Sequence, residues 1–199
     1  MTAQLQKPPR LFTPEEYLRM ERLAPYKSVY FNGRIFVMPG GTFNHSRIAG
    51  NVYFHIENQL RNGPCVTLTS DMRVKIPAVN IYCYPDVTVV CGEPEFEGKR
   101  EDVLLNPSVV VEVLSPTTKD YDLEIKLEHY LRSTTLRELV YIQQDEPRVM
   151  LHSRINANTW ETKFVTGLDA ILKFETIPVT IPLSEIYNRA SFKPESEEL

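Results

Sequence analysis

The sequence predicts an α/β fold in which a mixed β-sheet core is flanked by helices and carries additional antiparallel strands. Two runs rich in β-branched residues, at 84–90 and 109–114, are typical of strands buried on both faces. Apolar residues recur every four positions from Ile48 to Leu60, which is the pattern of a helix packed on a core. Because such strand and helix patterns alternate along the chain, we expect helices to pack against the sheet.

The remaining elements follow from capping residues, turn signals and apolar periodicity. The first helix should begin at Pro14, because Thr13 and Glu16 form a capping box around it. Asn32-Gly33 is the preferred two-residue turn of a β-hairpin. In chain order we predict a helix at 14–23, a hairpin at 28–31 and 34–38, a helix from about 42 to 61, strands at 65–69, 73–76, 84–90 and 109–114, a helix at 121–130, strands at 138–143, 148–154 and 159–165, a short strand at 179–181 and a helical turn at 183–186.

Length and composition indicate one globular domain. The chain has 199 residues, of which 42% are hydrophobic and 24% charged. We expect a flexible N-terminal arm at 1–12, a single domain at 13–192 and an acidic disordered tail at 193–199. No apolar run approaches the roughly 20 residues that cross a bilayer, and residues 1–7 lack the apolar core of a signal peptide, so a cytoplasmic protein is expected.

The three cysteines, Cys65, Cys83 and Cys91, lack the spacing of a metal site. Cys83 and Cys91 flank or lie in the strand around Asp86, where we expect them to be free and buried.

Charge is unevenly distributed along the chain. Residues 1–91 contain 10 Lys/Arg and 6 Asp/Glu, a net charge of +4, and residues 92–199 contain 12 and 20, a net charge of −8. The first half could therefore present a basic face, or its charges could be scattered over the surface. The total of −4 does not favour a strong nucleic-acid binder.

Each of the two β-branched runs contains one acid, Asp86 or Glu112. A buried carboxylate is costly unless it is paired or binds a cation. If the two strands are neighbours, the two carboxylates could meet and form an oxygen-rich site suited to Mg²⁺ or Mn²⁺. Alternatively, Asp86 caps a strand end and Glu112 pairs with a buried base.

Two further residues have both a functional and a structural interpretation. Lys126 shares a helical face with Asp122 and Tyr130, so it either reaches toward Glu112 or forms a solvated pair with Asp122. His45 lies at the start of the second helix, where it either faces the acids or caps the helix.

Three motifs occur in an order that resembles the Uma2 family (DUF820-type) of the PD-(D/E)XK, restriction-endonuclease-like superfamily. They are Tyr-Pro-Asp-Val-Thr-Val-Val at 84–90, Val-Val-Glu-Val-Leu-Ser-Pro-Thr-Thr at 110–118 and Tyr-Asp-x-x-x-Lys-x-x-x-Tyr at 121–130. The resemblance implies that Asp86 and Glu112, with the carbonyl of Val113, bind Mg²⁺ or Mn²⁺. Leu114 stands where the superfamily has its lysine, and the resemblance implies that Lys126 replaces it as the third catalytic residue.

The first hairpin departs from the family pattern, in which Glu-Tyr-x-Asp-Gly-Glu supplies further acids. This chain has Val29, Asn32 and Arg34 at those positions. Losing anionic ligands weakens the binding of a hard cation. The resemblance therefore implies either a metal-dependent phosphodiesterase acting on nucleic acid, expected to be DNA, or a catalytically degenerate binding and assembly module. By analogy with such nucleases a homodimer is expected, with Arg47, Arg73 and Lys75 as candidate phosphate contacts.

Overall fold

The computed structural model describes residues 10–115 and 126–192. The helices in these ranges are α1 (Pro14–Glu21), α2 (Phe43–Leu60), α3 (Leu127–Leu131) and α4 (Leu183–Ile186), with a 3₁₀ turn at Pro77–Val79. The strands are β1 (Ser28–Phe31), β2 (Arg34–Val37), β3 (Cys65–Thr69), β4 (Arg73–Ile76), β5 (Ile81–Cys83), β6 (Val87–Cys91), β7 (Val103–Leu104), β8 (Val109–Leu114), β9 (Glu138–Gln143), β10 (Arg148–Asn156), β11 (Thr159–Thr166), β12 (Ile171–Lys173) and β13 (Thr180–Pro182).

The strands form two large sheets and a small one. A six-stranded mixed sheet has the order β11-β10-β9-β8-β6-β3, in which only β8 and β9 are parallel among the described strands. A five-stranded sheet has the order β2-β1-β5-β4-β7, and β12 pairs with β13. The predicted fold class, a mixed sheet with helices and additional antiparallel strands, is confirmed.

Both faces of the six-stranded sheet are covered, which explains its β-branched sequence. One face packs against α2, whose apolar stripe from Ile48 to Leu60 is at most 3% exposed. The other face packs against α3 and the five-stranded sheet. Alternate residues of β8 therefore enter different cores, and Glu112 is on the α3 side with Val110 and Leu114.

The strand predicted at 84–90 is two separate elements in the structure. β5 ends at Cys83 in the five-stranded sheet, and β6 begins at Val87 in the six-stranded sheet. Pro85 lies between them, and a proline cannot donate a hydrogen bond to a strand ladder. Asp86 is therefore placed at the crossover between two sheets rather than within a strand.

β4 and the helix around Lys126 also differ in detail from expectation. The alternation of Arg73 and Lys75 with apolar residues predicts a wet face, but Arg73 is only 6% exposed because its guanidinium packs against the rings of Tyr17 and Tyr84. Lys126 lies directly before α3, whereas the predicted beginning of that helix, with Asp122, lies outside the described residues. The tail at 193–199 and residues 1–9 of the N-terminal arm lie outside them as well.

The expectation of a free Cys91 is wrong, because Cys91 forms a disulfide with Cys65. The two residues are direct partners in the antiparallel pairing of β3 with β6, which brings their side chains together. Cys83 is free and buried, as expected.

Among the described residues, the helices are too short or too polar to cross a membrane.

Candidate functional site

The two candidate acids lie on neighbouring antiparallel strands. β6 pairs with β8 so that Val87 faces Val111 and Thr88 faces Val110. Asp86 directly precedes Val87 on one strand, and Glu112 directly follows Val111 on the other. The condition set by the sequence, that the two strands be neighbours, is therefore met.

Asp86 is held by the backbone of the opposite strand. The Val113 amide donates to Asp86 Oδ2 over 2.7 Å, so the side chain takes the place of a strand partner. A carboxylate that accepts such a bond is fixed in orientation. Within the described part of the chain, Oδ1 of Asp86 accepts no hydrogen bond, and the side chain is 15% exposed. Asp86 therefore has one anchored oxygen and one that is open to a ligand.

Glu112 is held from the α3 side of the sheet. Tyr130 donates its hydroxyl proton to Glu112 Oε1 over 2.7 Å, and Lys126 Nζ lies 3.4 Å from the same oxygen. The Glu112 side chain is 8% exposed and that of Lys126 is 23% exposed. The interpretation in which Lys126 reaches toward Glu112 thus agrees with the structure, and the pairing with Asp122 lies outside the described residues.

His45 approaches Asp86 from the start of α2. Its Nε2 lies 3.3 Å from Asp86 Oδ2, and its side chain is 23% exposed. Hydrogen bonding to Asp86 raises the pKa of His45, and burial of the ring opposes the rise. The negative charges of Asp86 and Glu112 raise this pKa further.

The local sequence explains why His45 faces inward. Thr42 caps α2 by accepting the amide proton of His45, which fixes the first turn. An ideal Cβ at Gly41 would lie 2.9 Å from His45 Nδ1, so the absence of a side chain at Gly41 provides room for the ring. Thr42 rather than His45 therefore caps α2, and the His45 ring faces Asp86.

Behind Glu112 the polar contacts end in the hydrophobic core. The hydroxyl of Tyr130 also lies 3.4 Å from Cys83 Sγ, and both side chains are buried. Burial raises the pKa of the Cys83 thiol to about 12 and that of Tyr130 well above its usual value. Both groups therefore remain protonated at neutral pH, and Tyr130 can donate a hydrogen bond to Glu112 but cannot act as a base.

A largely apolar pocket adjoins Lys126 on the side of the first hairpin. The pocket has an empty volume of about 340 Å³, which includes the solvent space at its mouth. Val29 lines it together with Lys126 and Tyr130, and valine is the residue that replaces the first acid of the family pattern. The complete lining is Val29, Phe31, Ile76, Ile81, Cys83, Lys126, His129 and Tyr130.

The three basic residues considered as phosphate contacts are engaged within the protein. Arg73 is buried and donates twice to the Tyr84 hydroxyl, over 2.9 and 2.6 Å. Lys75 pairs with Glu97, and Arg47 donates to Asn51 over 3.0 Å. The structure therefore gives Arg73 and Lys75 intramolecular roles in place of the expected phosphate contacts.

Metal-binding side chains do not form a preformed cluster in residues 10–115 and 126–192, where no set of three or more His, Cys, Asp and Glu is arranged to hold an ion. The site instead combines side-chain donors with the backbone of Val113.

Sequence reasoning left His45 undecided and gave Tyr130 no role. Two signals pointed to Tyr130, which is spaced four residues from Lys126 on one helical face and is the last residue of the third motif.

Comparison with known proteins places the whole of this region within one family. The profile of the Uma2 family, described as "Putative restriction endonuclease", matches residues 14–184. Two Synechocystis sp. proteins are similar: "Uncharacterized protein slr1290", 31% identical over 180 residues (90% of this chain and 93% of that protein), and "Uncharacterized protein sll1609", 29% identical over 170 residues (85% and 96%).

A solved structure has the same fold. It is described as "a putative nuclease belonging to DUF820 from Anabaena variabilis" and superposes with a TM-score of 0.72 at 18% sequence identity. The match covers 88% of this chain and 97% of that chain. The resemblance seen in the three motifs is thus confirmed, and the chain belongs to the Uma2 family.

Proposed function

We propose that this protein is a nuclease that hydrolyses phosphodiester bonds in DNA and depends on a divalent cation. The observation that carries the proposal is the convergence of three chemically complementary groups from separate segments. Asp86 comes from the crossover before β6, Glu112 from β8 and Lys126 from the residue before α3. Family membership supports the same reaction class.

The donor atoms at this position fit a hard cation. Asp86 has one oxygen that accepts no hydrogen bond within the described residues, Glu112 belongs to the neighbouring strand β8, and the resemblance implies the Val113 carbonyl as the third ligand. Carboxylate and carbonyl oxygens are the ligands that Mg²⁺ and Mn²⁺ accept. When bound, such a cation would polarise the scissile phosphate and lower the pKa of a bound water.

Lys126 supplies the positive charge that the chemistry needs. Its ammonium group lies 3.4 Å from Glu112 Oε1 and offsets the charge of that carboxylate. Its side chain is 23% exposed, so it can approach a phosphate that binds next to Glu112. There it would orient the attacking water or stabilise the negative charge that develops in the transition state.

A second candidate, a binding or assembly module without catalysis, is favoured by the first hairpin. Val29 contributes to an apolar pocket next to Lys126 where the family pattern has an acid. Asn32 and Arg34 likewise remove negative charge from this edge of the site. Such a site would hold a cation less tightly and would attract phosphate more readily.

Cleavage assays separate the two candidates. Supercoiled and single-stranded circular DNA are incubated with Mg²⁺, Mn²⁺ or a chelator. A nuclease should cut only with the cation, and Lys126→Ala should reduce the rate by about 10²-fold or more, because it loses a positioned charge.

The matched control is Lys163→Ala, which removes a lysine on β11 that is paired with Glu161 and Glu175. The control should retain full activity. If the wild type binds DNA but does not cut it with either cation, the binding module is the better description. If Lys126→Ala cuts as fast as the wild type, Lys126 is not part of the catalytic site.

A further inference from the structure

We propose that two copies of this chain associate through strand β11, which pairs antiparallel with β11 of the second copy and joins the two six-stranded sheets into one. The inference goes beyond the proposed function and concerns a surface that contributes nothing to the candidate site. Three observations carry it: the open edge of β11, the side chains exposed along it, and the symmetric order of these side chains around Thr162.

The outer edge of β11 is open to a further strand. β11 is the first strand in the order of the six-stranded sheet, and within the described chain it pairs with β10 alone. No other backbone group of the described residues is bonded to Thr159–Thr166. Short strands and prolines normally protect such an edge, whereas β11 has eight residues and contains no proline. Its outward N–H and C=O groups are therefore available for strand addition.

The side chains of β11 divide into two chemically different sets, one on each face of the sheet. Trp160, Thr162 and Phe164 lie on the α3 side, where Trp160 packs against the core. The Phe164 ring is 58% exposed, although it is large and apolar. On the opposite side Glu161 and Lys163 are 51% and 46% exposed and lie 3.3 Å apart. The edge thus presents aromatic rings on one face and one charge of each sign on the other.

A two-fold axis through Thr162 makes both sets complementary to themselves. In such a dimer every contact occurs twice. Glu161 would lie opposite the partner's Lys163, and Trp160 opposite the partner's Phe164. Directly opposed residues on antiparallel strands have Cβ atoms about 4.5–5.5 Å apart, and opposite charges and aromatic pairs at this spacing stabilise a sheet. The pairing therefore gains two ion pairs on one face and two aromatic pairs on the other.

The order of the charges also selects this register over its neighbours. A two-fold axis at Glu161 would oppose two glutamates, and an axis at Lys163 would oppose two lysines. Like charges directly opposite each other destabilise a sheet. Of these three registers, the one centred on Thr162 alone pairs both charges with their opposites.

Charge reversal tests the interface on the full chain by sedimentation velocity. The wild type should sediment as a dimer. Glu161→Lys opposes lysines twice, and Lys163→Glu opposes glutamates twice, so each change should raise the dimer dissociation constant at least about tenfold. An equimolar mixture of these two variants restores both attractive pairs and should dimerise. Lys99→Glu is the matched control, because Lys99 follows β6, which is four strands away from β11, and this variant should dimerise like the wild type.

Cross-linking tests the register. Thr162→Cys places the new thiols of the two copies opposite each other on the axis, in the relation that Cys65 and Cys91 have as direct antiparallel partners. Mild oxidation should therefore link the two copies of this variant. Thr166→Cys is the control on the same strand, since Thr166 is exposed but lies four residues from the axis, and it should not cross-link.

The outcomes separate this inference from the proposed function, because each copy has its own Asp86, Glu112 and Lys126. A dimer that shows the charge-reversal pattern but does not cut DNA would support the interface and remove the nuclease. A wild type that cuts DNA and sediments as a monomer would do the reverse. A dimer that persists in both single variants, or a mixture that associates no better than its components, would also overturn the β11 interface. Equal cross-linking of Thr162→Cys and Thr166→Cys would overturn the register.

Discussion

At the scale of single residues, the two candidate acids are oriented by different parts of the chain. Asp86 is anchored by the Val113 amide, which belongs to β8, and is approached by His45. Glu112 is anchored by Tyr130 and Lys126 at the other core. Such anchoring orients the carboxylates before any ligand arrives, and this reduces the cost of assembling a metal site.

Tyr130→Phe tests whether this anchoring affects metal binding. The change removes a hydroxyl that donates to buried Glu112 over 2.7 Å, so we expect a loss of about 1.5–3 kcal/mol in the free energy of unfolding. We also expect about 10–100-fold weaker Mn²⁺ binding, because Glu112 loses its orientation. Urea denaturation measures the first effect and titration calorimetry the second.

Tyr187→Phe is the matched control for Tyr130→Phe. Tyr187 is also buried, and its hydroxyl is bonded to backbone atoms of Gln143 and Arg148. Its loss should lower stability and leave metal affinity unchanged. Equal metal affinities in both variants would show that Tyr130 has only a structural role.

The sequence predicts the site residues unequally well. Asp86 and Glu112 stand out because acids are rare in β-branched runs, and neighbouring strands bring them together. The role of His45 depends on the distance between the start of α2 and Asp86, which one sequence cannot provide. The contact of Tyr130 with Glu112 depends on how α3 packs on the sheet, and helical spacing alone does not specify it.

At the scale of elements, α2 links the core to the site. Its stripe of apolar residues packs on the six-stranded sheet, and its first turn carries His45.

The helix α2 was predictable because its eighteen residues contain several repeats of one apolar pattern. The three-residue strand β5 and the two-residue strand β7 were not, because so few residues show no periodicity. The division of the strand predicted at 84–90 depends on Pro85.

Ile56→Ala tests whether the α2 stripe stabilises the domain. Ile56 is fully buried between the helix and the sheet, so the change leaves a cavity and should cost about 2–5 kcal/mol in the free energy of unfolding. The control is Phe54→Ala on the same helix, where the ring is 61% exposed and the expected change is within about 0.5 kcal/mol. Chemical denaturation that gives the same loss for both would contradict this packing.

At the scale of the whole molecule, the chain passes between the two large sheets several times, and one disulfide joins the edge strand of the larger sheet to its neighbour. The Cys65–Cys91 bond joins edge strand β3 to β6, the strand that follows Asp86. Disulfides are rare in the reducing cytoplasm, whereas the sequence led us to expect a cytoplasmic protein. The cytoplasmic location therefore stays a prediction. Whether Cys65 and Cys91 are oxidised in the cell bears directly on it.

Reduction of this disulfide should destabilise the protein. The bond closes a loop with a sequence separation of 26 residues, and the chain-entropy relation gives about 3.5 kcal/mol for a loop of that size. Urea denaturation with and without reductant measures the difference. The double variant Cys65→Ala/Cys91→Ala is the control, because its stability should not respond to reductant.

Thiol counting tests the pairing independently of stability. Burial raises the pKa of the Cys83 thiol to about 12, so an alkylating reagent should label no cysteine in the folded, oxidised protein. Unfolding without reductant should expose one reactive thiol, and unfolding with reductant should expose three, since the chain has three cysteines. Three reactive thiols after unfolding without reductant would mean that Cys65 and Cys91 are not bonded. The edge strand β3 would then depend on its backbone ladder with β6 alone, and the predicted effect of reductant would vanish.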